Sequence, residues 1–107
     1  MNNRSRRLLD LAHLTTLCMN CGRMTEGCEP AHENGIGAGK GFGIKAHDNR
    51  HAALCHDCHS WLDQGGAKRD PSGVYAFTRE DRRAMWINAH LRTMDHYWAQ
   101  GWLRVAA

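Results

Sequence analysis

Residues 54–65, LCHDCHSWLDQG, place Cys55, His56, Cys58 and His59 within five positions, and Asp63 follows four residues after His59. A second pair, Cys18 and Cys21 in CMNC, has the same spacing. Two residues between cysteines let both thiolates reach one tetrahedral ion, so Cys18, Cys21, Cys55 and Cys58 read as a structural Zn2+ site. Such a site carries about 10–16 kcal/mol of apparent binding energy, so removal of the ion is expected to unfold the chain. The pairs lie further apart than in a minimal zinc ribbon, so a functional insertion is expected between them. Cys28, the fifth cysteine, reads as a small buried residue, although Cys28-x3-His32 keeps another ligand set open. If LCHDCHSWLDQ is helical, His59 and Asp63 share a face at i, i+4 and can reach one cation.

The elements that must position these groups are short. RSRRLLDLAHL has apolar residues at 8, 9, 11, 12 and 14, which suits an amphipathic N-terminal helix. Gly22 permits the turn that the first knuckle needs. Pro30 biases Glu29 to extended backbone, so a strand or extended arm should end near His32. GIGAGKGFG, residues 35–43, holds five of the eleven glycines and reads as a loop. It lacks the phosphate-cradling GxxxxGK[ST] pattern, because Gly41 follows Lys40. HAALC reads as a second strand and HDCHSWLDQ as a helix stopped by Gly65 and Gly66. Thr78 can cap a C-terminal helix over 78–100, with Ala84, Ile87, Leu91, Met94 and Trp98 as its apolar stripe and Gly101 as its end. Trp61 is expected to pack on that helix. The fold class is therefore α+β: a small ββα finger with a four-cysteine zinc site, flanked by an N-terminal and a longer C-terminal helix. All 107 residues suit one domain, with 18–65 as its motif core.

CMNC, EPAH, the glycine-rich loop and LCHDCH, taken in order, resemble the HNH (ββα-metal, His-Me finger) endonuclease superfamily with a zinc-stapled finger. Within it, CEPAHENG, GKGFGIKAHD and AALCHDCHSWLD are most similar to small phage- and prophage-encoded nucleases of the YbcO-like type. The resemblance implies a β-hairpin and helix gripping one catalytic cation, and it implies DNA phosphodiester hydrolysis. His32 matches the family's general base and His59 its helix-borne metal ligand; Asp63 ranks next as a ligand. A catalytic Mg2+, Mn2+, Ni2+ or Zn2+ is compatible with a histidine-plus-carboxylate site. Many members carry Asp or Glu immediately before the base histidine, where this chain has Ala31. Glu29, Glu33 or Asp48 could substitute, and Asp48 or Asn49 could fill the role of the family's middle Asn. His47, His51 and His56 read as bystanders.

Charge fits a nucleic-acid partner. The net charge is +3, and basic stretches at 1–17, 40–50 and 66–83 flank acidic ones at 18–39 and 51–65. Lys40, Lys45 and Arg50 are the candidate DNA contacts. No apolar run is long enough for a membrane span, and cysteines spaced for metal suggest a reducing cytoplasm, that of a bacterial host if the chain is phage- or prophage-encoded. The competing expectation is a non-catalytic zinc finger that binds nucleic acid or protein. A homodimer through the tryptophan-bearing C-terminal helix is also compatible with the sequence.

Overall fold

A computed structural model describes residues 5–33, 47–64 and 79–105. Helix α1 (Arg6–Leu14) begins at Ser5, whose extended backbone and side-chain oxygen, 3.1 Å from the Leu8 amide, form an N-cap. It ends at Thr15, whose amide donates to the Ala12 carbonyl at 3.0 Å. The chain then folds back on itself. A bridge joins Leu17 to Met24, Cys18 donates to the Arg23 carbonyl at 2.9 Å, and Gly22 donates to the Cys18 carbonyl at 3.0 Å. Gly22 has φ 76°, a left-handed conformation that only glycine adopts without cost, so the first CxxC knuckle closes as its sequence implied.

Strands β1 (Glu29–His32) and β2 (His51–Leu54) pair antiparallel, with Glu29 opposite Leu54 and His32 opposite His51. Side chains alternate along a strand, so the two faces carry different residues. Ala31, Ala52 and Leu54 pack with Trp61 and Trp86, whereas Ala53 packs with Ala12 of α1 and Cys28. Helix α2 (His56–Gln64) starts immediately after Cys55, and helix α3 (Arg79–Ala99) lies along β2. The outer edge of β2 is hydrogen-bonded by other elements. Ala53 donates its amide to Thr93 Oγ1 at 3.0 Å and accepts at its carbonyl from the Met19 amide at 3.0 Å; His90 Nδ1 meets the His51 carbonyl at 2.7 Å. With these edge groups paired, all four residues of β2 are buried.

The architecture is thus small and α+β, with a two-stranded antiparallel sheet and three helices. No helix among the described residues is long and apolar enough to cross a membrane. Trp61 does share a core with Trp86 and Ala89 of α3. The face that α3 buries is not the expected one. Trp86, Ala89, Thr93 and Tyr97 turn inward, while Ile87, Leu91 and Trp98 are 37%, 56% and 51% exposed. The inward face includes Thr93, which the buried Ala53 amide requires as a partner; an apolar residue there would leave that amide unpaired. α3 ends as expected at Gly101 (φ 75°), where Trp102 donates to Tyr97 and Gly101 to Trp98, both at 3.0 Å, a Schellman closure. The glycine-rich loop with Lys40 and Lys45, the Gly65–Gly66 stop and the Thr78 cap lie outside the described residues.

The approach of residues 25–28 to the end of α1 is close. A Cβ on Gly27 would lie 2.5 Å from the His13 backbone carbonyl oxygen. Neither backbone can yield without moving α1, so Gly27→Ala is expected to cost about 1–3 kcal/mol, read as a lower urea midpoint at unchanged slope.

Candidate metal centre

Cys18 and Cys21 come from the first knuckle; Cys55 lies between β2 and α2, and Cys58 lies in the first turn of α2. Their sulfurs all lie within 4.8 Å of one another, and among the described residues they form the group of ligands that converges on one point. The Cys21–Cys55 sulfur separation is 3.8 Å. Tetrahedral bonds near 2.3 Å place ligand sulfurs about 3.8 Å apart, so the cluster has the dimensions to hold an ion such as zinc.

The surroundings prepare the sulfurs for negative charge. Asn20 directs its amide to Cys18 Sγ and its Nδ2 to Cys58 Sγ, both at 3.4 Å, and the Cys58 amide meets Cys55 Sγ at 3.5 Å. Asn20 was not singled out from the sequence; its place inside the CxxC knuckle was the available signal. A hydrogen bond from the Cys58 thiol holds Cys18 down to about 4, while that same bond, together with burial, pushes Cys58 up. Burial also raises Cys55. Four thiolates this close are mutually compatible only around a cation. Cys28 stands apart, its thiol raised to about 11 by burial and pointing to the Leu17 carbonyl at 3.4 Å. That placement fits a small buried residue rather than a ligand.

The histidines and carboxylates form two further clusters on opposite faces of the hairpin. On the α2 side, Glu29 receives two imidazoles: His59 Nδ1 is 2.8 Å from Oε1 and His56 Nδ1 is 3.0 Å from Oε2. Asp63 Oδ2 lies 3.4 Å from His59 Nε2, so the i, i+4 pair is brought together. Although burial opposes its ionisation, the hydrogen bonds from His59 and His56 hold the Glu29 carboxyl below its usual range.

On the α1 side, His32 Nε2 is 3.1 Å from Oδ1 of Asp48, whose side chain is 6% exposed, and the Ser5 amide donates to Oδ2 of the same carboxylate. A carboxylate partner places the proton of neutral His32 on Nε2 and leaves Nδ1 with a lone pair. Behind this pair, His51 donates from Nδ1 to the Asp48 carbonyl at 2.6 Å and accepts at Nε2 from the Tyr97 hydroxyl at 2.9 Å. His51 and Tyr97 are fully buried. His51, expected to be a bystander, therefore holds the turn that carries Asp48.

Of the other candidates, Glu33 is committed to two guanidiniums, Arg50 Nε at 3.2 Å and Arg83 Nη2 at 3.1 Å. Asn49 is exposed in the turn before β2. Arg50, expected to contact DNA, is 42% exposed at its side chain beside Glu33. Ala31 faces the core, with its carbonyl accepting from Trp86 Nε1 at 2.8 Å. Glu29 is thus the candidate carboxylate that meets His59, while Asp48 meets His32. Three residues of strand, about 10 Å of rise, separate Glu29 from His32.

Burial lowers the His51 pKa from 6.5 to about 4. The unfolded chain therefore binds a proton at His51 that the folded chain refuses below pH 6.5. Stability contributed by neutral His51 is present above that pH and falls as the pH drops toward 4. About 2 kcal/mol of it should be gone by pH 5. Urea melts at pH 7 and 5, with bound metal measured at both, should show this slope and show it flattened in His51→Gln.

No protein-family model matches the chain, and no curated protein or solved structure matches it.

Proposed function

We propose that the protein is a metal-dependent DNA endonuclease of HNH type, built on a hairpin-and-helix finger with a structural zinc ion in the four-cysteine centre. The observation that carries this reading is the His32–Asp48 pair, a partly exposed imidazole held by a buried carboxylate so that Nδ1 is available as a general base. His59, with Glu29 and Asp63 around it, is the cation-binding group on α2. The order strand, strand, helix supports the same reading. The cation would polarise the scissile phosphate and stabilise the leaving 3′ oxygen, and His32 would activate water. Phage or prophage DNA processing, inside a bacterial cytoplasm, is the natural setting of this chemistry. Lys40, Lys45 and Arg50 remain the proposed contacts to the DNA backbone.

A second reading, a non-catalytic zinc finger that binds nucleic acid or protein, is favoured by one observation. His32 and the His59 cluster lie on opposite faces of the hairpin, so the described contacts do not bring base and cation together. Plasmid nicking by zinc-replete protein, with Mg2+, Mn2+ or Ni2+ added and His32→Ala alongside, separates the readings. Cation-dependent nicking that the variant loses supports the nuclease. Salt-sensitive DNA binding by folded protein, without cutting of linear, branched or single-stranded DNA, supports the binding module.

A further inference from the structure

The apolar stripe of α3 is left outside the core. Ala84, Leu91 and Trp98 alternate with Ile87 and Met94, at successive spacings of three, four, three and four residues. This is the a and d pattern of a coiled-coil seam, with Ala84, Leu91 and Trp98 at a. The core takes the other face, Trp86, Ala89, Thr93 and Tyr97, so the seam turns to solvent. Ala84, Ile87, Leu91 and Trp98 are exposed, and Met94 is partly buried. The two edges of the seam differ in charge. The e positions are Asp81, Asn88 and Asp95, whereas the g positions include Arg83 and His90. Two parallel helices set each g residue beside the e residue five positions on in the other copy. Antiparallel helices set e against e and g against g. Parallel pairing therefore brings Arg83 to Asn88 and His90 to Asp95, with no like charges facing; antiparallel pairing brings the two acidic edges together.

We propose that α3 is the interface of a homodimer, in which two copies pair their outward stripes as parallel helices about a two-fold axis. A second copy is the occupant that fits, because it carries the same seam and offers a basic edge to this chain's acidic one. The area is sufficient for a weak dimer. Ile87, Leu91 and Trp98, at 37%, 56% and 51% exposure, present roughly 300 Å2 per copy. Two copies cover roughly 600 Å2 with these residues alone, and Ala84, Met94 and the flanking polar side chains bring the total near the ~1,000 Å2 of a small specific interface. The basic edge is already held in place. Arg83 is fixed by Glu33 at 3.1 Å, and His90 by the His51 carbonyl at 2.7 Å and by stacking on Trp86. Little ordering is then lost on association. At this size the dimer is expected to form in the micromolar range. α3 carries neither the four cysteines nor His32 or His59, so the inference is independent of the nuclease reading.

The test is sedimentation equilibrium of zinc-replete protein, from low micromolar to near-millimolar concentration. The expected mass rises with concentration from 12.1 kDa to twice that value. Leu91→Glu puts a carboxylate from each copy into the seam and should weaken association by at least about tenfold. Leu91 and Asn88 are both exposed, so their variants are expected to fold, which circular dichroism and zinc content check. The direction of pairing is read from the sign of two further substitutions. Asn88→Glu faces Arg83 of the other copy and should tighten the dimer about two- to fivefold, while Asn88→Lys should loosen it by a similar factor. Antiparallel pairing reverses both signs, because position 88 then meets the acidic edge. A stripe covered by another part of this chain or by a different protein leaves a monomer at every concentration. That result, a mass above the dimer, unchanged association in folded Leu91→Glu, or reversed signs at Asn88 would each overturn the proposal.

Discussion

Stripping the metal ion from the four-cysteine centre is expected to unfold the protein. The centre joins segments far apart in sequence, the knuckle at 18–21 and the β2–α2 junction at 55–58. Cys18, Cys55 and Cys58 are themselves core residues, packed with Leu54, Trp61, Leu62 and Trp86. Without the ion, the sulfurs cannot all remain ionised at these separations, and three-quarters of the ligand set would be buried thiols. Structural zinc contributes about 10–16 kcal/mol of apparent binding energy, against a typical domain stability of about 5–15 kcal/mol. Chelator titration followed by far-ultraviolet circular dichroism and tryptophan fluorescence, with released zinc counted, should show loss of ion and fold together. Cys58→Ser should purify metal-poor and unfolded. A metal-free chain that keeps its helical signal and its buried tryptophans would show that the core stands without the staple.

His32→Ala should lower cation-dependent nicking by about 10²–10⁴-fold, the usual contribution of a positioned general base. Asp48→Asn is the more informative partner. Its side chain can still fill the buried site, but an amide can direct N–H at His32 Nε2 and favour the tautomer with Nδ1 protonated. That would remove the lone pair assigned to the base, and nicking should fall by about 10–100-fold, the effect typical of groups that orient a reactive histidine. Substrate binding should change little in either variant. Because Asp48 also accepts the Ser5 amide and holds its turn through His51, the melting temperature must be measured beside activity. Unchanged nicking by a folded His32→Ala would assign the chemistry elsewhere.

Local signals in the sequence anticipated much of the scaffold. The CxxC spacing picked out the four cysteines that the fold brings together, because two intervening residues let the thiolates of a turn reach one point. Gly22 and Gly101 marked positions of positive φ, a local backbone property. The i, i+4 relation of His59 and Asp63 followed from helical pitch. Both strands and the C-terminal helix were placed from breakers and apolar runs.

Tertiary structure decided what periodicity alone could not. An apolar stripe shows that a helix has a preferred face, but the edge of β2 needed Thr93 and His90 as hydrogen-bond partners, and α3 turned accordingly. His51 looked like one histidine among several, and only its burial between Asp48 and Tyr97, 46 residues away, gave it a task. Choosing among Glu29, Glu33 and Asp48 depended on strand register and on which distant cations reached each carboxylate. Glu33 met Arg50 and Arg83, Asp48 met His32, and Glu29 met His59 together with His56, which reads as a bystander in the sequence alone. Ligand spacing within a turn is fixed by covalent geometry and can be read from sequence. The partner of a carboxylate is set by long-range packing and hydrogen bonding, which the order of residues does not display.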